Sequence, residues 1–390
     1  MTKTMLMGTV SGLFLFGGAL AGCGAPVASP SPVLHSNQRS PKVTASASSM
    51  EQAKMITMAS TRVGWAASSN HIFRTTHGGH HWSTVLEADH IVTMDAVNAT
   101  TAWVAIQTSS RDVTVAYTND GGAHWTRHTI TAPFSVVRVG LDVSNRPGSP
   151  GSVLLSGPVG TQTGPQALWT IAHDHVSTTA VYHTPNGALA RISWSSATKA
   201  LATSDGAGSP ALMVSKDGGT AWNPVKLTLP QWVPANAVNN PKPQLNASVV
   251  VSRPPTFIAH TGYLSATLYV PYTTAQNTVD THRYAVLFKR TNGTAWTAVW
   301  DRPGASLISM TWASPQNGWA LLAKGSQVRL DRTATGGRTW QRVSTFPPTL
   351  NPLSVTFSAH IGWIIAQSTQ ANTVSLYRSH DNGKQWQAVR

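Results

Sequence analysis

A repeated unit governs what this chain can fold into. Its last copy runs from Val355 to Trp386 and has three parts: an alternating apolar/polar run, a Gly-Trp pair that opens a second apolar run, and a third run that ends in Ser379-x-Asp381-x-Gly383-x-x-Trp386. Alternation over four to eight residues predicts half-buried strands, and Asn/Asp/Gly clusters predict the turns between them. The unit is therefore predicted to be a small antiparallel β-meander.

Copies of the unit begin near residues 56, 92, 192, 255, 310 and 355. The 100 residues between 92 and 192 leave room for a seventh, degenerate copy, whose first strand we place at Ser135–Val137. A repeat of about 40–50 residues with four short strands indicates a β-propeller blade, because one blade cannot bury both of its faces. We predict an all-β fold, a seven-bladed β-propeller of four-stranded antiparallel blades, with six or eight blades as the alternatives.

The predicted domains follow from the repeat and from the composition before it. A lipoprotein signal peptide is predicted at 1–22, a lipidated cysteine with a Ser/Pro-rich disordered linker at 23–50, and the propeller at 51–390. The blades are predicted near 51–88, 89–131, 132–184, 188–228, 250–301, 305–347 and 352–390.

The pattern Ser/Thr-x-Asp-x-Gly-x-x-Trp ends five of these units, in strict or degenerate form. Its members are Thr75, His77, Gly79 and Trp82; Thr118, Asp120, Gly122 and Trp125; Ser215, Asp217, Gly219 and Trp222; Thr333, Gly337 and Trp340; and Ser379, Asp381, Gly383 and Trp386. Hydroxyl and carboxylate groups accept hydrogen bonds from the turn backbone, and glycine takes a positive φ at little cost. In the fifth blade Trp296 ends a weaker copy, in which spacing places Lys289 at the Ser/Thr position and Thr291 at the Asp position.

This pattern resembles the Asp-box, or BNR, repeat. Together with the Gly-Trp of the second strand, it is most similar to the propellers of the photosystem II stability and assembly-factor family. The resemblance implies a turn between the third and fourth strands of each blade, on the face opposite the binding surface. It also implies a role in holding an envelope or membrane protein during assembly.

The N-terminus reads as a lipoprotein signal. Lys3 precedes an apolar stretch, and Leu20-Ala21-Gly22-Cys23 has the form of a lipobox that contains the only cysteine of the chain. We expect cleavage before Cys23, attachment of lipid to its sulfur, and a protein anchored to the cell membrane on the extracytoplasmic face. With no second cysteine, disulfides and cysteine zinc sites are excluded.

The formal net charge is +14 among 390 residues, and Glu51 and Glu87 are the only glutamates. The basic residues are spread along all blades without a nucleic-acid motif, so we expect no nucleic-acid partner. The expected partner is a protein or an anionic envelope polymer, bound by a monomer. Scarce carboxylates also suggest the hypothesis of an acid-exposed cell surface.

No catalytic motif is present, and we expect no enzyme, cofactor or metal. His77, His80 and His81 are close in sequence, but turn positions account for them. Resemblance to sialidases, another group of Asp-box propellers, would require an arginine triad and a Tyr/Glu pair. The Arg-Ile-Pro signature of the first sialidase blade is absent, and Arg253-Pro254-Pro255 is only a distant echo of it in another blade. Asp95 is the best candidate for a carboxylate in the central channel, and we expect no second acid in its register.

Recognition is expected on loops that depart from the repeat. Trp232, in the insertion at 226–254, belongs to no repeat position and is either a contact residue or a cover over the local core. The sequence thus predicts an exported, membrane-anchored, non-catalytic propeller that binds a protein partner in the cell envelope, with assembly or stability factor as its possible role. The alternative is a carbohydrate-binding protein or a sialidase-like glycoside hydrolase.

Overall fold

The computed structural model describes residues 53–143, 151–158, 164–172, 175–183, 189–204, 212–238, 245–251, 253, 255–258, 261–276, 278–291, 295–371 and 373–389, with the backbone of two earlier strands. These earlier strands lie within 23–50, the segment predicted to be a linker. β1 (His35–Arg39) pairs antiparallel with the second blade, and β2 (Val43–Thr44) pairs antiparallel with the first. Cys23 and the predicted signal peptide lie outside the described residues.

Seven sheets follow in chain order, and in six of them four consecutive strands form an antiparallel meander. The first blade has β3 (Met55–Met58), β4 (Gly64–Ala67), β5 (His71–Thr75) and β6 (Ser83–Glu87). The second has β7 (Ile91–Ala96), β8 (Ala102–Gln107), β9 (Asp112–Thr118) and β10 (His124–Thr131). The third has β11 (Arg138–Asp142), β12 (Gly151–Ser156), β13 (Pro165–Ala172) and β14 (His175–His183).

The later blades continue the series. The fourth has β15 (Leu189–Trp194), β16 (Ala200–Ser204), β17 (Leu212–Ser215) and β18 (Asn223–Pro224). The fifth has β19 (Leu227–Thr228), β20 (Ser248–Val250), β21 (Thr256–Ile258), β22 (Thr261–Thr273), β23 (Val279–Thr291) and β24 (Trp296–Pro303). The sixth has β25 (Ser306–Trp312), β26 (Gly318–Lys324), β27 (Gln327–Thr333) and β28 (Gln341–Phe346). The seventh has β29 (Leu350–Ser358), β30 (Ile361–Ser368), β31 (Val374–Ser379) and β32 (Gln387–Ala388).

The hydrophobic core lies between the blades. Each of seven clusters of buried side chains joins one blade to the next, and one of them joins the seventh blade to the first through Trp363, Ile365, Phe73 and Trp82. Seven interfaces among seven sheets mean that the ring is closed. The predicted seven-bladed β-propeller is therefore confirmed.

Helix is almost absent. A single turn of 3-10 helix, Ala235–Ala237, is the only helical element among the described residues. None of the residues that the structure describes forms a helix of the length and apolarity needed to cross a membrane.

The motif turns all lie on one side of the ring. Because neighbouring strands are antiparallel, the first strand ends, the second begins and the third ends on the same side. In the first blade, for example, Gly64 pairs with both Met58 and Thr75. We call this side the motif face.

Within each motif turn the buried Ser/Thr oxygen accepts a hydrogen bond from the backbone N–H of the motif glycine, at 2.8–3.1 Å in all five. The carboxylates of Asp120, Asp217 and Asp381 each accept from an N–H four residues later at 3.0 Å. In the sixth blade the hydroxyl of Thr335 takes the same part, accepting from the N–H of Thr339 at 2.9 Å. The turn therefore keeps the same hydrogen bond from the backbone N–H four residues later, whether the acceptor is a carboxylate or a hydroxyl.

Glycine is required where such a turn packs on the preceding blade. Gly122 has φ 85°, and a Cβ there would lie 2.6 Å from Cβ of Val85 in the first blade. A larger residue would be strained in its backbone and would also push the two blades apart.

A second recurring device links four of the blades to the blade that follows. An aromatic residue near the start of the second strand pairs across the sheet with a cation on the third, whose charge lies 5.5–5.6 Å from the ring centre. We call these the cross-blade pairs; they are Trp65/Arg74, Tyr263/Lys289, Trp319/Arg332 and Trp363/Arg378. The three indole N–H groups donate to backbone carbonyls of the following blade at 2.9–3.0 Å.

Strand pairing changes the assignment of Lys289. It lies opposite Tyr263, as Arg74 lies opposite Trp65, and its Nζ donates to the carbonyl of Gly336 in the sixth blade at 3.0 Å. Lys289 is thus a member of a cross-blade pair and does not occupy the Ser/Thr position of a motif turn. The motif spacing therefore placed the Ser/Thr position of the fifth blade one residue too early in the chain.

The fifth blade departs most from the repeat. Its innermost strand is interrupted, because β20 and β21 pair with different parts of β22. Its central hairpin has 13 residues in each strand, against seven in the sixth blade. β19, which the predicted boundary at 228 assigns to the fourth blade, pairs parallel with β24 instead.

Candidate functional site

A cavity of about 440 Å³ lies in the central channel, towards the motif face and not towards the opposite face, where the resemblance implies the binding surface. It is lined by the ends of the innermost strands of the second, third and fourth blades, by residues 255–258 of the fifth and by Met310 of the sixth. Four ionisable side chains reach it: Asp95, Asp142, Arg191 and Arg253.

The two carboxylates come from the ends of neighbouring first strands. Asp95 is the penultimate residue of β7, and Asp142 is the last residue of β11. Oδ2 of Asp95 accepts a hydrogen bond from the backbone N–H of Val143 at 2.7 Å, which joins the second blade to the third beside the cavity. Both carboxylates are half-buried, since each retains exposure only towards the channel.

Burial sets the protonation of this pair. It raises the pKa of Asp95 to about 6, against the hydrogen bond from Val143 and the charge of Arg191, both of which lower it. Burial, followed by the charge of Asp95, raises the pKa of Asp142 well above its usual range, and Arg191 opposes both effects. Two acids that share one low-dielectric site do not both ionise readily, so the pair binds protons at a higher pH than two separate carboxyl groups would.

The two arginines approach from the next blades. Arg191 is on β15, and Arg253 lies where the innermost strand of the fifth blade is interrupted between β20 and β21. Burial, and then the positive charge of Arg191, lower the pKa of Arg253, which places the two guanidinium groups in the same electrostatic environment. Both residues line the cavity and still retain much solvent-exposed surface, and neither makes an ion pair within 4.0 Å among the described residues.

The sequence located part of this cavity. Asp95 lies in the channel, as predicted, but the expectation that no second acid joins it was wrong. The degenerate third unit concealed Asp142, because its first strand begins at Arg138 and not at Ser135. Arg253 was singled out in the sequence only because Arg253-Pro254-Pro255 distantly resembles a sialidase signature. No pattern in the sequence points to Arg191.

Trp232 lies elsewhere, on the surface of the fifth blade. It is 42 % exposed, and its Nε1 donates to Oδ2 of Asp301 at 2.9 Å. Its ring packs on Tyr284 with centroids 4.3 Å apart. Its neighbour Val233 is the residue that enters the core. Of the two interpretations left open, this exposure favours a contact residue over a cover for the core.

The histidines of the first motif turn do not line the central cavity. His77 and His81 meet edge to face, and Nε2 of His80 lies 2.9 Å from Nη1 of Arg378 in the seventh blade. Among the described residues there is no group of three or more His, Cys, Asp or Glu arranged to hold a metal ion.

Comparison with known proteins finds only remote structural likeness. No protein-family model matches the chain, and no curated protein matches it. Solved structures that resemble it include the GH74 xyloglucanase from Xanthomonas campestris, at 14 % identity and TM-score 0.32 over 85 % of this chain and 63 % of that one. The extracellular domain of a putative hybrid two-component system from B. thetaiotaomicron matches at 10 % identity and TM-score 0.48, over 87 % of this chain and 39 % of that one.

A post-proline cleaving enzyme from Rickettsia typhi is similar at 5 % identity and TM-score 0.49, over 87 % of this chain and 53 % of that one. The chain thus spans less than two thirds of each of these three proteins. They include enzymes and a sensor domain, and the likeness concerns the propeller alone.

Proposed function

We propose that this chain is an exported protein, anchored by lipid at Cys23 to the extracytoplasmic face of the cell membrane, that binds a protein partner and catalyses nothing. The lipobox and the single cysteine support export and anchoring. The motif turns and cross-blade pairs support membership of the Asp-box propellers, with the photosystem II stability and assembly factors as the most similar family. That likeness favours a role in holding an envelope protein during assembly.

The observation that carries the binding function is the pair of arginines in the central cavity. Guanidinium groups bind carboxylates through two parallel hydrogen bonds, and Arg191 and Arg253 have no such partner within the described chain. A volume of about 440 Å³ admits a side chain and its flanking backbone but no folded element. The partner is therefore expected to insert an acidic residue from an extended segment.

Cross-linking in living cells tests this function. The wild-type chain should form an adduct with an envelope protein, and the double variant Arg191→Gln/Arg253→Gln should lose most of it. Arg342→Gln is the matched control, since Arg342 is exposed on the outermost strand of the sixth blade. An adduct of equal yield in all three proteins would show that the cavity is not the binding site.

Anchoring has its own test. Cys23→Ser should move the protein from the membrane fraction to the soluble fraction and abolish labelling by an alkyne-tagged fatty acid. A wild-type protein that takes up no label, or a Cys23→Ser variant that keeps the label, would exclude the lipid anchor at Cys23.

Glycoside hydrolysis is the second candidate, and the pair Asp95/Asp142 is the observation that favours it. Such enzymes use one carboxyl group with a raised pKa as general acid and a second, ionised one as base or nucleophile. Burial raises the pKa of Asp142 well above its usual range and that of Asp95 to about 6, so Asp142 is the candidate acid. A panel of aryl glycosides and envelope polysaccharides decides the matter. Turnover that Asp142→Asn abolishes would establish an enzyme, and absence of turnover across the panel supports a binding protein.

A further inference from the structure

The charges in the central cavity specify what it can bind. We infer that the cavity is a carboxylate site in which Arg191 and Arg253 hold the ligand carboxylate, and in which Asp95 and Asp142 line the same cavity and donate a hydrogen bond to it when protonated. This inference rests on the proposed function, because it takes the cavity as the binding site and names the chemical group that enters.

The geometry supplies the first argument. The hydrogen bond from Val143 orients Asp95 through its Oδ2, and none of the four ionisable groups of the cavity is ion-paired within 4.0 Å among the described residues. The lining from residues 255–258 and from Met310 carries no ionisable group. Asp95, Asp142, Arg191 and Arg253 are therefore the ionisable groups that face one another among the described lining residues.

The balance of charge in the cavity supplies the second argument. Two guanidinium groups face a carboxyl pair whose ionisation burial opposes, so positive charge is in excess in the cavity. A singly charged carboxylate offsets that excess, whereas a phosphate dianion would add stronger repulsion with an ionised aspartate. A protonated carboxyl group can also donate to a ligand carboxylate, which an ionised one cannot.

Proton binding must then accompany ligand binding. A ligand carboxylate next to Asp95 and Asp142 favours their neutral forms, so binding takes up protons near neutral pH. Affinity for the carboxylate should rise as the pH falls through about 6, the pKa of Asp95, and should decline as the pH rises above it. A change of one unit in the pKa on binding corresponds to about a tenfold change in affinity.

Calorimetry of the full-length protein in detergent tests the inference, with acetyl-Gly-Glu-Gly-amide as the probe and acetyl-Gly-Gln-Gly-amide as its neutral match. The glutamate peptide should bind about tenfold more tightly at pH 5.5 than at pH 7.5. Heats measured in two buffers of different ionisation enthalpy should show proton uptake. Equal binding of the two peptides would overturn the inference.

Variants assign the roles. Arg191→Gln/Arg253→Gln should abolish binding, and the milder Arg191→Lys should weaken it severalfold, because lysine keeps the charge but loses the two-pronged contact. Asp95→Asn/Asp142→Asn should bind with little dependence on pH. Wild-type affinity in the folded arginine variants, or an unchanged pH dependence in the asparagine variant, would each contradict the assignment.

Further probes separate this inference from the proposed function. Glucuronate that binds where the peptide does not would support the carboxylate site and contradict the protein partner. Inorganic phosphate that binds more tightly than the peptide would overturn the carboxylate assignment. Loss of the cellular adduct in the arginine variant, with no binding of any carboxylate probe, would sink the inference and leave the proposed function standing.

Discussion

At the scale of single residues, the motif turns depend on one buried oxygen each. In the first blade Oγ1 of Thr75 accepts hydrogen bonds from the N–H groups of His77 and Gly79, both at 3.1 Å, and the residue is 1 % exposed. The histidine at the Asp position leaves this turn without the carboxylate contacts of the strict copies. The hydroxyl of Thr75 is therefore the main side-chain acceptor that stabilises this turn.

Replacement of Thr75 by valine keeps the shape and removes the acceptor. We expect Thr75→Val to lower the free energy of unfolding by about 1–3 kcal/mol, the cost of leaving buried N–H groups unpaired. Urea unfolding measures it. Thr273→Val, at an exposed position of β22, is the control and should change stability by less than about 0.5 kcal/mol.

The raised pKa values of Asp95 and Asp142 predict how the free energy of unfolding varies with pH. The folded state raises the pKa of Asp95 to about 6 from 3.8, and that of Asp142 in the same direction. A raised pKa means that the folded chain binds more protons between the two values. The stabilisation is thus fully present below about pH 4 and is lost as the pH rises through 6.

We therefore expect a melting temperature about 2–5 °C higher at pH 5 than at pH 7.5, from roughly 1–2 kcal/mol after allowance for the partial exposure of both groups. Asp95→Asn/Asp142→Asn should remove the difference. Asp217→Asn should leave it intact, because the N–H of Ala221 and the hydroxyl of Ser215 lower the pKa of Asp217 and place its effect below pH 4. Acid unfolding near pH 5 would contradict both this prediction and the hypothesis of an acid-exposed cell surface.

At the scale of elements, the cross-blade pairs explain why the third strand so often carries arginine before the motif. The indole of Trp363 donates to the carbonyl of Gly78 at 2.9 Å, and Arg378 lies over the same ring. This pair spans the contact between the last blade and the first. No helix or disulfide reinforces that contact among the described residues.

Trp363→Phe keeps most of the buried ring and loses its N–H. We expect a loss of about 1–3 kcal/mol, because the carbonyl of Gly78 is left without its partner. Trp103→Phe is the matched control, since Trp103 packs on Tyr117 and its ring nitrogen makes no hydrogen bond among the described residues. Equal losses in the two variants, measured by chemical denaturation, would mean that the bond contributes nothing to closure.

The role of Trp232 can be tested by comparing it with Trp296, a core residue of the same blade. Its side chain is 42 % exposed, so Trp232→Ala should lower the melting temperature by no more than a few degrees. Trp296→Ala, which removes a fully buried ring from the same blade, should lower it far more or prevent folding. A comparable loss in both would make Trp232 part of the core and remove it as a candidate contact residue.

At the scale of the whole molecule, the fold was predictable because the same local pattern occurs often enough to be read in register. Gly-Trp and the motif turn mark the second and third strands of most blades, and a closed ring is what such blades form. The cavity was less predictable. It depends on Asp142 and Arg253, which lie in the degenerate third blade and in an interrupted strand, where the repeat gives no register.

Arg191 illustrates a further limit. It lies in a blade that follows the repeat well, and its neighbour Ile192 was correctly placed in the first strand. Which face of that strand meets the channel depends on the curvature of the ring and on the contacts of β15 with β11. Those are properties of assembled blades, and a single sequence does not contain them.

One consequence follows from the way in which the ring closes. Each blade is built from a continuous stretch, and the seventh takes no strand from the N-terminal part, so the join between first and last blades is chemically like the other six. The order in which the blades are synthesised should therefore be interchangeable. A circular permutant that joins residue 389 to residue 53 by a short linker and opens the chain between β28 and β29 should fold and melt cooperatively, as circular dichroism would show. Failure to fold would mean that the ring needs the N-terminal strands β1 and β2, which this permutant lacks.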